Sequence, residues 1–206
     1  MRARLGLWPT VAAAIFTVMN AASGGQLKVV AVNAPAVNCI YSANCTVTVN
    51  DSVGQLLLQN LGQANTAWLQ SRTFTGAAGT PGAGKTGYEY RLDMTQATGA
   101  LQCVAGVVIN FGPVTQLPCA TNTPADVYVI TQGGLGTIGL ASADQEGDVI
   151  TFTFDKLICA SSPANPADTT FFFGLASVHP PTAITAGVFV TGNPGFYNVP
   201  ARAPLH

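Results

Sequence analysis

The chain reads as an all-β protein. The expected architecture is a β-sandwich or jelly-roll-like domain of about eight to ten short antiparallel strands, with at most one short helix. Three observations carry this. Residues 87–94 alternate without a break, with Tyr88, Tyr90, Leu92 and Met94 on one side and Glu89, Arg91 and Asp93 on the other. That period of two puts the first set on a core and the second in water. Short segments rich in Val, Ile, Thr and Phe recur along the chain between Gly-, Pro- and Asn-bearing connections, as strands and turns do. A single segment has helical spacing.

In chain order the other strands are expected at 27–33, 45–50, 66–75, 103–111, 126–132, 135–141, 148–155, 170–178 and 185–191. Segments 125–132 and 148–157 are apolar on more than one face and read as central strands. The helical segment is Ser52–Leu61, where Val53, Leu56, Leu57 and Leu61 share a face and Asp51 or Ser52 stands at the cap. Turns are expected at 76–84, 121–124, 133–134, 161–168 and 192–195.

Residues 1–23 have the form of a secretory leader. Arg2 and Arg4 precede an apolar stretch from Leu5 to Met19, and Ala21-Ala22-Ser23 offers small residues for cleavage. The mature chain, 24–206, has the length of a single β-sandwich domain. A secreted location, extracellular or periplasmic, follows, with no membrane attachment after cleavage. The alternative is retention of the leader as an anchor.

Only 8% of residues are charged, against about 25% in ordinary soluble proteins. Without the leader, six basic face nine acidic residues, a net of −3. No basic run or face is present to meet phosphates, so nucleic acid is not an expected partner. Little charge repulsion opposes self-association.

Five cysteines, Cys39, Cys45, Cys103, Cys119 and Cys159, lie beyond the leader. In an oxidising compartment they are disulfide candidates. Local pairing is expected, Cys39 with Cys45 and Cys103 with Cys119, leaving Cys159 free. The second bridge would be worth about 3 kcal/mol in the chain-entropy description. The rival scheme pairs Cys159 with Cys119 or Cys103. No C-x-x-C spacing points to a metal, and no cofactor is expected.

Residues 79–86, GTPGAGKT, match the phosphate-loop pattern in full. A phosphate loop needs a helix immediately after it. Here a strand follows, so a Gly-Pro hairpin loop is expected. Asp144, Glu146 and Asp148 alternate around a Gly turn. They are weak calcium candidates, since Ca²⁺ takes six to eight oxygens. The alternative is a solvated hairpin tip. His179, with Ser177 and Asp168, is the candidate centre of a secreted hydrolase, although no G-x-S-x-G elbow occurs. No catalytic residue is assigned. Among the aromatics, Trp68 and Tyr197 are the candidates for an exposed binding surface.

The leading functional expectation is a secreted, non-catalytic surface, adhesion or structural module acting by contact. Its partner would be a cell-surface polymer or glycan, or a second copy of itself. The alternatives are a carbohydrate-binding module using exposed aromatics and a secreted hydrolase centred on His179.

Overall fold

The structure, a computed structural model, describes residues 24–57, 66–97, 103–119, 123–160, 168–191 and 196–206. The leader at 1–23, the turn expected at 192–195 and all but Asp168 of the turn expected at 161–168 lie outside the described residues.

The elements, in chain order, are β1 (Gly25–Gln26), β2 (Val29–Asn33), α1 (Ala34–Tyr41), β3 (Asn50–Leu57), β4 (Thr66–Thr75), β5 (Thr86–Asp93) and β6 (Cys103–Asn110). They continue with β7 (Leu117–Cys119), β8 (Thr123–Ala125), β9 (Val127–Gln132), β10 (Leu140–Glu146), β11 (Val149–Cys159), β12 (Phe172–Ser177), β13 (Pro181–Val190) and β14 (Phe196–Pro204). Two six-stranded sheets form. The first has the order β1-β10-β11-β6-β13-β14 and the second β2-β9-β12-β5-β4-β3, while β7 and β8 make a separate ribbon. The central positions expected for 125–132 and 148–157 hold, because β9 and β11 each have a strand on both sides. Among the described strands all pairs are antiparallel except β2 with β9.

The sheets face each other across one core. Tyr88, Tyr90, Leu92, Leu69, Val129 and Phe173 from the second sheet meet Val107, Ile109, Ile150, Phe152, Val188 and Val199 from the first. The alternation at 87–94 thus does what period two requires: Tyr88, Tyr90, Leu92 and Met94 are fully buried. The Tyr90 hydroxyl crosses the core to donate to the Arg202 carbonyl on β14, at 2.7 Å. The β14 edge also seals against the other sheet, where Arg202 N donates to Ser71 Oγ at 3.4 Å. Gly54 on β3 lies so close to Val199 and Pro200 that a Cβ there would overlap the Pro200 carbonyl.

Several expectations about elements are corrected. Residues 45–49 form no strand, β3 beginning at Asn50, and residues 135–139 precede β10, which begins at Leu140. Ser52–Leu61 is not a helix: its described part, 52–57, belongs to β3, in register with β4. Pairing along a neighbouring strand overrides a weak helical pattern that already carried Gly54. The helix instead lies at Ala34–Tyr41. Asn33 caps it, its Oδ1 accepting from Ala36 N at 2.8 Å, and Pro35 sits in the first turn, where an N–H would be unpaired anyway. Its apolar face of Val37, Ile40 and Tyr41 covers the outer surface of the second sheet, making a smaller core with Phe74, Tyr128, Ile130, Phe172 and Cys119.

The cysteine pairing is also corrected. Cys39 bonds Cys45 as expected, but Cys103 bonds Cys159, and Cys119 is the free, buried thiol. Register decides this: Cys103 and Cys159 are directly opposite on β6 and β11, with Cα atoms 4.1 Å apart. Cys119 sits on β7 in the helix-covered core, on the far side of the second sheet.

Candidate functional site

The outer face of the second sheet carries the densest polar chemistry among the described residues. β4 turns Ala67, Leu69 and Ser71 inward, which leaves Trp68, Gln70 and Arg72 outward. Register then sets three rows across β3, β4 and β5: Asp51-Arg72-Glu89, Val53-Gln70-Arg91 and Gln55-Trp68-Asp93. One ion pair lies within the first row and one joins the second row to the third. Arg72 Nε donates to Asp51 Oδ1 at 2.9 Å and Arg91 Nη2 to Asp93 Oδ2 at 2.6 Å. Gln70 Nε2 also donates to Asp51, at 3.0 Å. Both guanidinium groups lie over the Phe172 ring of β12, 4.1 Å from its centroid for Arg72 and 5.5 Å for Arg91.

This ridge of two arginines separates two concavities. One, about 280 Å³, is formed by Val53, Trp68, Gln70, Arg91 and Asp93. Here a half-buried indole stands beside an amide, a guanidinium and a carboxylate, all planar hydrogen-bonding groups. The other, about 350 Å³, has Glu89 and Arg72 in its wall with Val49, Ile130, Leu135 and Phe172.

Glu89 was expected in water. It is instead 4% exposed, because α1 and the 45–49 segment roof that part of the sheet. Burial pushes its carboxyl up to about 7; Arg72 and a hydrogen bond from Tyr128 pull it back, and Asp51 adds to the rise. The Tyr128 and Tyr41 phenols beside it are pushed well above their usual range, mainly by burial, with the Glu89 charge adding to it.

A third concavity is larger, about 430 Å³, and is walled by Ser42, Thr46, Thr48, Thr73, Thr75 and Thr86 among others. It holds hydroxyls but no charged group, and its aromatic side chains, Tyr41 and Phe74, are buried. Size alone therefore does not make it the better candidate.

The other sequence candidates fall elsewhere. Tyr197 is on β14 of the opposite sheet, half-buried against the main core, so it shares no surface with the Trp68 cavity. Asp144 and Glu146 lie within β10, and the β10–β11 turn is only residues 147–148, with Gly147 at φ +58°. Asp144 accepts from Ser142 Oγ, and Asp148 is 4.0 Å from His206 Nε2. No group of three such side chains able to hold a metal exists among the described residues.

Ser177 is fully buried, and its Oγ accepts from the backbone N of His179 at 3.2 Å. Asp168 is at the other end of β5: its carbonyl accepts from Met94 N, whereas Ser177 is opposite Thr86. The length of β5, about 23 Å at 3.3 Å per residue, separates them, so no triad assembles.

The phosphate-loop match is a hairpin loop between β4 and β5, as expected. Its amides are engaged locally: Gly82 N donates to Ile40 O at 2.7 Å and Ala77 N to Tyr41 O at 2.8 Å. These bonds satisfy carbonyls at the end of α1 that a helix leaves open. Lys85 Nζ donates to Pro81 O at 2.7 Å.

Arg72, Glu89 and Phe172 were not singled out from the sequence as site residues. Asn33-Ala34-Pro35 is a legible helix start, but where that helix docks on the sheet is not a local property of the chain. Comparison with protein families, with curated proteins and with solved structures yields no match for this chain.

Proposed function

We propose that the protein is a secreted, non-catalytic module acting by contact, and that its outer sheet face binds a cell-surface glycan. The observation that carries this is the Trp68 concavity. An indole face packs against the C–H surface of a sugar ring, while Gln70, Arg91 and Asp93 are set beside it to bond hydroxyls in pairs. Three exposed apolar residues, Val49, Val53 and Leu135, rim this concavity and its neighbour, which adds to the contact character of the face. Secretion is inferred from the leader at 1–23, and two disulfides fit an oxidising compartment. No helix among the described residues is long and apolar enough to cross a membrane.

Affinity electrophoresis through gels containing soluble polysaccharides tests the reading. Retardation by at least one polysaccharide is expected for the wild type, and loss of it for Trp68→Ala. Catalysis centred on His179 is the weaker reading, since its ring has no partnered acid or nucleophile among the described residues.

A further inference from the structure

The cavity over Glu89 lies across the arginine ridge from Trp68, and Trp68 does not line it. We propose that this cavity is a binding site for a primary alkylammonium group, with the Glu89 carboxylate as its anchor.

Three observations support the assignment. The first is charge. The face carries Asp51, Glu89 and Asp93 against Arg72 and Arg91, and the two arginines are paired with the two aspartates. Glu89 is left as the one carboxylate of this face without a salt bridge of its own, feeling the Arg72 charge only as that of a neighbour already bonded to Asp51. The second is hydrogen bonding. Among the described residues its carboxylate receives one side-chain hydrogen bond, from Tyr128 Oη to Oε1 at 3.3 Å. A carboxylate offers about four acceptor positions, and a buried one that is under-bonded is costly. The group is 4% exposed, yet it forms part of the wall of an open cavity of about 350 Å³. The third is the rest of that wall. Ala34, Val47, Val49, Ile130, Leu135 and Phe172 are apolar, and its polar side chains besides Glu89 are Asn38 and Arg72, whose guanidinium is held by Asp51. An anionic floor under largely apolar walls, whose one cation is already paired with Asp51, fits a cation on a hydrocarbon stem, as long amine side chains are built. An ammonium brings three donors and one positive charge, which is what the carboxylate lacks. An anionic ligand would be repelled by Glu89, and a free metal cation would find a single carboxylate.

This chemistry has two sources, a free diamine and a lysine side chain, and simple probes distinguish them. Calorimetric titration at about pH 8 keeps both Glu89, with its carboxyl near 7, and an alkylammonium, near 10.4, charged. n-Pentylammonium is expected to bind saturably and about tenfold more tightly than n-pentanol, the difference between a charged and a neutral hydrogen-bonded partner. Glu89→Gln should erase that tenfold, and Trp68→Ala should leave it unchanged, so failure here is separable from failure of the glycan reading. Equal binding of amine and alcohol by the wild type overturns the proposal without need of any variant, as does a preference that survives Glu89→Gln. Cadaverine and a blocked lysine amide then compete. Whichever binds more tightly identifies the source, and binding by neither also overturns the proposal.

Discussion

The Tyr128 hydroxyl donates to Glu89 Oε1 at 3.3 Å beneath α1, joining β9 to β5 across β12. This bond helps retain a carboxylate in a place where burial disfavours its charge. The consequence is a pH-dependent stability with a fixed sign. The folded carboxyl titrates near 7 and the unfolded one near 4.5. Between those values the folded state holds the extra proton, so stability falls as pH rises from about 4.5 to about 7 and is level for this group outside that window. Thermal melts of wild type and Glu89→Gln across this range should converge at the acid end and separate at the neutral end, with the variant higher. Parallel curves would remove Glu89 as the cause.

The Cys103–Cys159 bridge joins residues 56 apart in sequence. In the chain-entropy description a loop of that size is worth about 4 kcal/mol. Replacing both cysteines by Ser should lower the denaturation midpoint by a corresponding amount. In the intact protein Cys119 should resist alkylation until unfolding, since it is buried and burial pushes its thiol up. Peptide mapping that finds Cys119 bridged and Cys159 alkylated would contradict this register.

Tyr90 Oη is the donor for the Arg202 carbonyl at 2.7 Å. Tyr90→Phe keeps the ring among Phe152 and Phe173 and removes only that donor. A loss of about 0.5–1.5 kcal/mol is expected from the part-buried carbonyl left unpaired. A stability equal to wild type in urea denaturation would show that β14 is not held to the opposite sheet by this bond.

Gly54 marks a close approach of β3 to β14. Gly54→Ala would press a methyl group against Val199 and Pro200, and overpacking of this kind costs about 1–3 kcal/mol. Helix propensity would favour the opposite outcome, since Ala is the better helix former. The sign of the measured change therefore decides directly between strand and helix at this position.

The fold class was legible because alternation is a local signal: Tyr88, Tyr90, Leu92 and Met94 need only their own spacing to declare a buried face. β14 was not legible, since Pro200 and Pro204 interrupt it, and proline is tolerated there because the strand lies at a sheet edge. The Cys103 pairing was not legible because strand register is a long-range property: sequence proximity favoured Cys119, whereas the β6–β11 pairing brings Cys159 opposite. Trp68 could be picked out as a large aromatic on a polar strand. Its neighbours Arg91 and Asp93 were visible as an outward face, but nothing local in the chain reveals that α1 covers Glu89 and leaves those two beside an open cavity.

Titration of the mature protein against a panel of soluble polysaccharides, wild type beside Trp68→Ala, tests the central claim most directly. Saturable binding of at least one polysaccharide by the wild type is expected, with at least about tenfold weaker binding by the variant, as loss of an aromatic contact to the sugar implies, at unchanged thermal stability. Equal affinity of the two proteins, or no binding by the wild type across the panel, would contradict it.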